Sequence, residues 1–270
     1  METYTPGHSE AVSEFMARRT LATHGAFFVP HLRPGLSLLD CGCGPGSITL
    51  GLAARVDPGE VIGIDSAPGQ IDRARQAASR EGRRNVQFEA ANVYALPFES
   101  GTFERVFSHA LFEHLADPQG ALRELYRVLA PGGVIGLCSP DWGGFLLAPP
   151  SPRLSRALDA YMALQTWNGG DVRAGRNQGP HLAAAGFETI ELSARYECYD
   201  SCELIAQYLA RRLEEAGDTA SASALREWST EKPCMFAQAW VSAVARKPCQ
   251  PSYDPATPTG GDDGNSKLGA

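Results

Sequence analysis

The chain has 270 residues, a formal net charge of −7 and a pI near 5.4, with 43% hydrophobic and 20% charged residues. This profile excludes a disordered or fibrous chain and leaves room for one domain with insertions and a substantial core. The acidic balance argues against a nucleic-acid partner, no apolar run approaches the ~18 residues of a membrane span, and no basic-then-apolar leader opens the chain, so a cytoplasmic protein is expected.

Residues 1–9 read as an entry segment with a turn at Pro6-Gly7. From Ser9, the residues Val12, Phe15, Met16, Leu21, Phe27 and Phe28 suit one or two amphipathic helices ending near Pro30. The apolar run 36–39 reads as a buried strand ending on Asp40. Gly42, Gly44 and Gly46 follow at every second position, and residues 48–54 then take helical spacing. Strand, glycine turn and helix start in that order make a ligand cradle, because glycine permits a close backbone approach and the first helical N–H groups favour polar or anionic ligands. The next strand, 60–64, ends on Asp65, 23 positions after Gly42, where a carboxylate can accept hydrogen bonds from ribose hydroxyls. A nucleoside site is expected. Cys41 and Cys43 lie inside the cradle, where small side chains are needed, and their spacing misses the usual zinc pattern, so no metal centre is expected. The seven cysteines are scattered and odd in number, which implies no disulfide framework.

Ser66 and Pro68 start a further helix, with Ser66 as its N-cap. A third strand over 86–91 delivers Asn92 and Val93. A fourth over 103–107 releases Ser108, His109, Glu113 and His114 at its C-terminal end, where open α/β sheets gather their chemistry; His109 and His114 are the catalytic candidates. Asp117-Pro118 opens an amphipathic helix that stops at Pro131-Gly132-Gly133, before a fifth strand over 134–137. Residues 139–145 are expected to leave the sheet, and the proline-rich stretch 149–152 marks an insertion with two helices. A sixth strand over 187–196, helices over about 201–216 and 218–230, and a last strand near 240–245 follow. From Pro248 the chain is polar, of low complexity and too poor in apolar residues to order itself.

Gly42-Cys43-Gly44-Pro45-Gly46 is G-x-G-x-G, not the dinucleotide G-x-G-x-x-G, and Asp40 stands two positions before its first glycine. Together with Asp65, Leu96-Pro97-Phe98 and Pro131-Gly132-Gly133, this pattern resembles the class I S-adenosylmethionine-dependent methyltransferases. The branch it resembles most includes the ubiquinone/menaquinone-biosynthesis type. The resemblance covers roughly residues 36–137 and extends weakly to both sides.

The resemblance implies an α/β fold: a Rossmann-like, seven-stranded, mostly parallel sheet with an antiparallel last strand, helices on both faces and helical cap insertions. It implies N-terminal lid helices over 1–30 and a methyltransferase domain over 31–247 with cap insertions at about 141–186 and 197–233. A disordered tail over 248–270 would follow. S-adenosyl-L-methionine is the implied cofactor. Asp40, Gly42, Gly44 and Ser66 would surround it, Asp65 would hold the ribose diol, Asn92 and Val93 would read adenine, and Ser108 or His109 would sit under the sulfonium. An acidic residue is usual where Asn92 stands; Asn can still accept, but is neutral. Tyr4, His8 and Arg19, on the lid, are candidates for the methionine end or the acceptor.

The acceptor is expected to be a small molecule, methylated on C, N, O or S, with Trp142, Tyr161 and Trp167 lining its pocket under the first insertion. The alternatives are a non-catalytic cofactor-binding scaffold, or a nicotinamide-dependent oxidoreductase, the latter disfavoured by Pro45 and the offset of the third glycine. Nothing in the sequence specifies the oligomeric state.

Overall fold

The computed structural model describes residues 3–7, 10–199 and 201–249. His8 and the expected tail beyond residue 249 lie outside them. The described residues form a seven-stranded sheet of order β3-β2-β1-β4-β5-β7-β6, where β1 is Leu38–Cys41, β2 Val61–Asp65, β3 Val86–Ala90, β4 Phe103–His109, β5 Leu129–Ala148, β6 Glu188–Cys198 and β7 Met235–Arg246. The pairs β1/β2, β1/β4, β2/β3 and β4/β5 are parallel, whereas β7 runs antiparallel to both β5 and β6. The sheet order reverses at β1, so the tips of β1 and β4 diverge and leave a crevice at their C-terminal ends.

Both faces of the central strands are buried, and alternate residues serve different cores. Leu39, Val106 and Ile135 pack with Leu122 and Leu125 of α5 (Pro118–Val128). Leu38, Phe107 and Val134 pack with Phe28 and with Ile48 and Leu52 of α3 (Ser47–Val56). This two-residue period explains the unbroken apolar runs of the central strands. Helix α4 (Pro68–Glu81) covers Phe88 of β3 through Ile71 and Ala74. Its N-cap is Ala67, not Ser66, and no side chain caps the helix; the Asp65 carboxylate accepts from the Ala67 N–H at 2.9 Å, which ties the strand end to the start of the helix.

The N-terminal region forms α1 (Glu10–Ala17), a short α2 (Leu21–His24) and a 3-10 turn (Ala26–His31). Helices α6 (Pro152–Trp167), α8 (Cys202–Glu215) and α9 (Thr219–Thr230) share a second core with Trp142 and Phe236, so the two expected insertions pack on one another. Helix α7 (Ala174–Ala184) is tied to β5 by the ion pair of Arg176 with Asp141 at 2.6 Å.

The fifth strand differs from the expectation. Residues 139–148 do not leave the sheet: they pair with β7 up to Ala148↔Met235, with an irregularity between Asp141 and Leu146. The Gly143-Gly144 pair is absorbed in that irregularity, and the partner strand β7 satisfies the backbone on either side. Trp142 is therefore a strand residue, and the helical insertion starts at Pro152.

Candidate active site

The glycine turn after β1 is held open by backbone geometry. Gly42 and Gly44 have φ of 77° and 53°, in the left-handed region, and a Cβ on Gly44 would meet no atom within 4 Å. The Gly44 N–H donates to Asp65 Oδ2 at 3.0 Å, so one carboxylate fixes both the turn and, through Ala67, the start of α4. Behind the turn, Thr49 donates its hydroxyl to Asp40 Oδ2 at 2.6 Å. Burial pushes the Asp40 carboxyl up to about 7 in spite of that bond.

A cavity of about 160 Å³ opens at these strand tips. Asp40, Gly42, Gly44, Asp65, Ser66, Asn92, Val93 and His109 line it, and Tyr4, Met16 and Arg19 close it from the N-terminal side. Asn92 accepts the Tyr94 N–H through Oδ1 at 2.9 Å, which sets the turn after β3. Ser108 is not brought there. Its hydroxyl donates to the Cys41 carbonyl at 2.8 Å and its side chain is buried between strands. The alternation along β4 explains this, since Ser108 and His109 point to opposite faces. His109 stacks on Trp240 at 4.8 Å and meets His24 edge-on at 5.1 Å. Burial, with Arg19, His24 and Arg195 adding to it, holds the His109 imidazole well below its usual range, so it is neutral at pH 7. Its Nε2 has no hydrogen-bond partner among the described residues.

A second cavity of about 50 Å³ adjoins the first, and Tyr4, Met16, Arg19 and Ala110 line both. Ala110 carries φ of 57°, an unusual conformation for a residue with a Cβ, at the point where the two cavities meet. The second cavity is walled by Trp142 on β5, Tyr161 on α6, Tyr208 on α8, Trp240 on β7, and Glu113 and His114 on the 3-10 turn Phe112–His114. Trp142 and Tyr161 therefore come together as expected, with rings 4.9 Å apart. Trp167 does not: it is 88% exposed at the end of α6, about one and two-thirds turns beyond Tyr161 and off its face. His114 meets Tyr4 edge-on at 4.7 Å. Burial, helped by Arg19, pushes its imidazole down to about 3. The Arg19 guanidinium lies over the rings of Phe15 at 5.7 Å and Trp240 at 5.2 Å.

Sequence reasoning missed Met16, Tyr208 and Trp240 as wall residues and gave Glu113 no role. Tyr208 sits in an ordinary amphipathic helix pattern, and Trp240 in an ordinary strand pattern; neither carries a local signal of a cavity. Among the described residues no group of three or more His, Cys, Asp or Glu side chains is placed to hold a metal ion, and no helix is long and apolar enough to cross a membrane. Cys41 and Cys43 are free and buried, and burial pushes both thiols up, away from reactive thiolate.

Residues 39–137, which carry the glycine turn, Asp65, Asn92 and the β4 tip, match the methyltransferase domain family. This segment is a methyltransferase domain. An uncharacterised methyltransferase of Schizosaccharomyces pombe is 36% identical over 138 residues, 49% of this chain and 50% of that protein. A demethylmenaquinone methyltransferase of Lactococcus lactis is 39% identical over 100 residues, 37% of this chain and 40% of that protein. The chain thus spans about half, or less, of the length of these curated relatives. A solved [4+2]-cyclase, SpnF, shares the fold with a TM-score of 0.56 at 23% identity, covering 88% of this chain and 80% of its own. Beyond this segment, α6 and α8 of the second core supply part of the wall of the adjoining cavity.

Proposed function

We propose that this protein transfers the methyl group of S-adenosylmethionine to a small-molecule acceptor. The observation that carries the reading is the pair of adjoining cavities: one at the tips of β1, β2 and β4, the other under α6 and α8, with four wall residues in common. Methyl transfer needs a donor and an acceptor held in line and stripped of water, and two cavities meeting at one wall supply that arrangement.

The residues of the first cavity fit the cofactor. Gly44 leaves open space where a side chain would stand, and the half-buried Asp65 carboxylate lines the same cavity, where a carboxylate suits the ribose hydroxyls. Asn92 and Val93 are at the end of β3, in reach of the base. When bound, the cofactor supplies a methyl group on a positively charged sulfur. Tyr4, Met16 and Arg19 shut that position from water, as a lid does, and α6 and α8 act as a cap over the acceptor. His109, neutral and with Nε2 unspent, lines the donor side. The aromatic walls suit a flat acceptor, and the named activity of the Lactococcus lactis relative, on demethylmenaquinone, supports the same reading.

Calorimetric titration with S-adenosylmethionine, followed by a labelled-methyl screen of quinols, phenols and amines, tests it. Micromolar binding and methyl incorporation into a small acceptor are expected. No binding of the cofactor would overturn the proposal, and binding without transfer to any acceptor would favour the scaffold reading.

A further inference from the structure

The carboxyl of Glu113 has no part in the reading above. It lies in the wall of the second cavity, 3% exposed. Its Oε2 makes no hydrogen bond among the described residues, nor does Nδ1 of neighbouring His114, whose Nε2 is 3.7 Å from Glu113 Oε1. The backbone at this point is pinned from the cap side: the Gln165 side chain and the Asp171 N–H both donate to the Glu113 carbonyl, at 2.9 and 3.0 Å. A buried carboxylate oxygen without a donor costs stability, and a ligand that supplies a proton donor there removes the cost.

The groups that face Glu113 come from several elements. They are Arg19 beyond α1, Tyr4 of the entry segment, His114 on its own turn, Cys138 and Ser139 of β5, Tyr161 of α6 and Tyr208 of α8. Arg19 is the fixed cation among them. Burial outweighs its pull, together with that of the Glu113 backbone N–H and the nearby Ser139 hydroxyl, and pushes the carboxyl up to about 7. His114, pushed down to about 3, stays neutral and adds no counter-charge. Glu113 therefore gains and loses its proton in the neutral range, where a general base is most effective.

We infer that Glu113 is the proton acceptor for a hydroxyl carried by the methyl acceptor, so that the acceptor is a small aromatic or enolic molecule with a dissociable O–H. This rests on the methyl-transfer reading. The proton of the O–H passes to Glu113 Oε2, the electron pair left on the acceptor forms the bond to the methyl carbon, and the former methyl–sulfur pair stays on sulfur as a neutral thioether. Glu113 then releases the proton to water as the product leaves.

The test uses the full chain and its Glu113→Gln variant, with S-adenosylhomocysteine, phenol and anisole as probes. S-adenosylhomocysteine should bind both proteins with affinities within about twofold; absence of binding to the wild type would overturn the methyl-transfer reading and this inference with it. On that complex, the preference for phenol over anisole should reach at least tenfold at pH 8. It should fall at least threefold by pH 6, with a midpoint near 7. In Glu113→Gln the preference should no longer change with pH. With S-adenosylhomocysteine bound, the inference alone is overturned by equal binding of the two probes, by binding of neither, by a wild-type preference that ignores pH, or by the same pH dependence in the variant. Should Glu113→Gln fail to fold, the pH dependence of the wild-type preference decides.

Discussion

At the scale of single residues, Asp65 connects the glycine turn to the next helix. Its two oxygens accept from Gly44 and Ala67, and the same carboxylate faces the first cavity. Replacing Asp65 by Ala should weaken S-adenosylmethionine binding by on the order of 2–4 kcal/mol, because a charged acceptor of ribose hydroxyls and the anchor of the turn are lost together. Titration calorimetry showing wild-type affinity would refute that role. Gly44→Val should abolish binding, since its side chain would enter the open space of the cavity and resist a φ of 53°. The buried Asp40 makes a separate prediction about pH. Its folded carboxyl is raised from the ordinary 3.8 to about 7, so the native state keeps a proton that the unfolded chain releases, and stability is lost as pH rises through 7. Asp40→Asn removes this contribution. The Tm of the variant relative to wild type should therefore climb from about pH 4 to pH 7 and level off above it, and a constant difference across that range would show that Asp40 does not titrate there.

At the scale of elements, β5 carries more than a sheet partner. Its extension to Ala148 against β7 places Trp142 between Tyr161 of α6 and Phe236 of β7, and so joins the sheet to the helical cap. Trp142→Ala should cost about 3–5 kcal/mol of stability by leaving a cavity in the second core, measured by denaturant unfolding, with cofactor affinity little changed. Trp167→Ala is the control on the same helix system: at 88% exposure it should move stability by no more than about 0.5 kcal/mol and leave acceptor turnover intact. A large effect of Trp167→Ala on turnover would show that it reaches the acceptor after all.

For the whole molecule, the N-terminal segment contributes three of the four residues common to both cavities, Tyr4, Met16 and Arg19. Deleting residues 1–19 should leave the cores around β1, β4 and β5 folded, by circular dichroism, while S-adenosylmethionine affinity falls at least tenfold. Unchanged affinity would mean that the segment does not act as a lid. The link between α2 and the sheet edge, where His24 Nε2 meets Glu197 Oε1 at 3.2 Å, lies outside the deleted stretch and should persist.

The cradle was legible in the chain because its signals are local. Gly42, Gly44, Asp65, Asn92 and Val93 owe their places to strand ends and tight turns, and such features follow from glycine conformation and apolar periodicity over a few residues. The alternating strands and the helices between them fixed the parallel sheet in the same way. The acceptor side was not legible, because its walls come from separate elements that meet only through packing: the N-terminal segment with α1, the 3-10 turn with Glu113, β5, α6, α8 and β7. A tyrosine on an amphipathic helix has the same local pattern whether it fills a core or faces a cavity, which is why Tyr208 was unmarked and Trp167 was misplaced. Pairing between β5 and β7, residues about a hundred positions apart, likewise turned an expected loop at Trp142 into strand. Short-range geometry determined the walls of the first cavity; burial and long-range pairing alone decided which polar and aromatic groups wall the second.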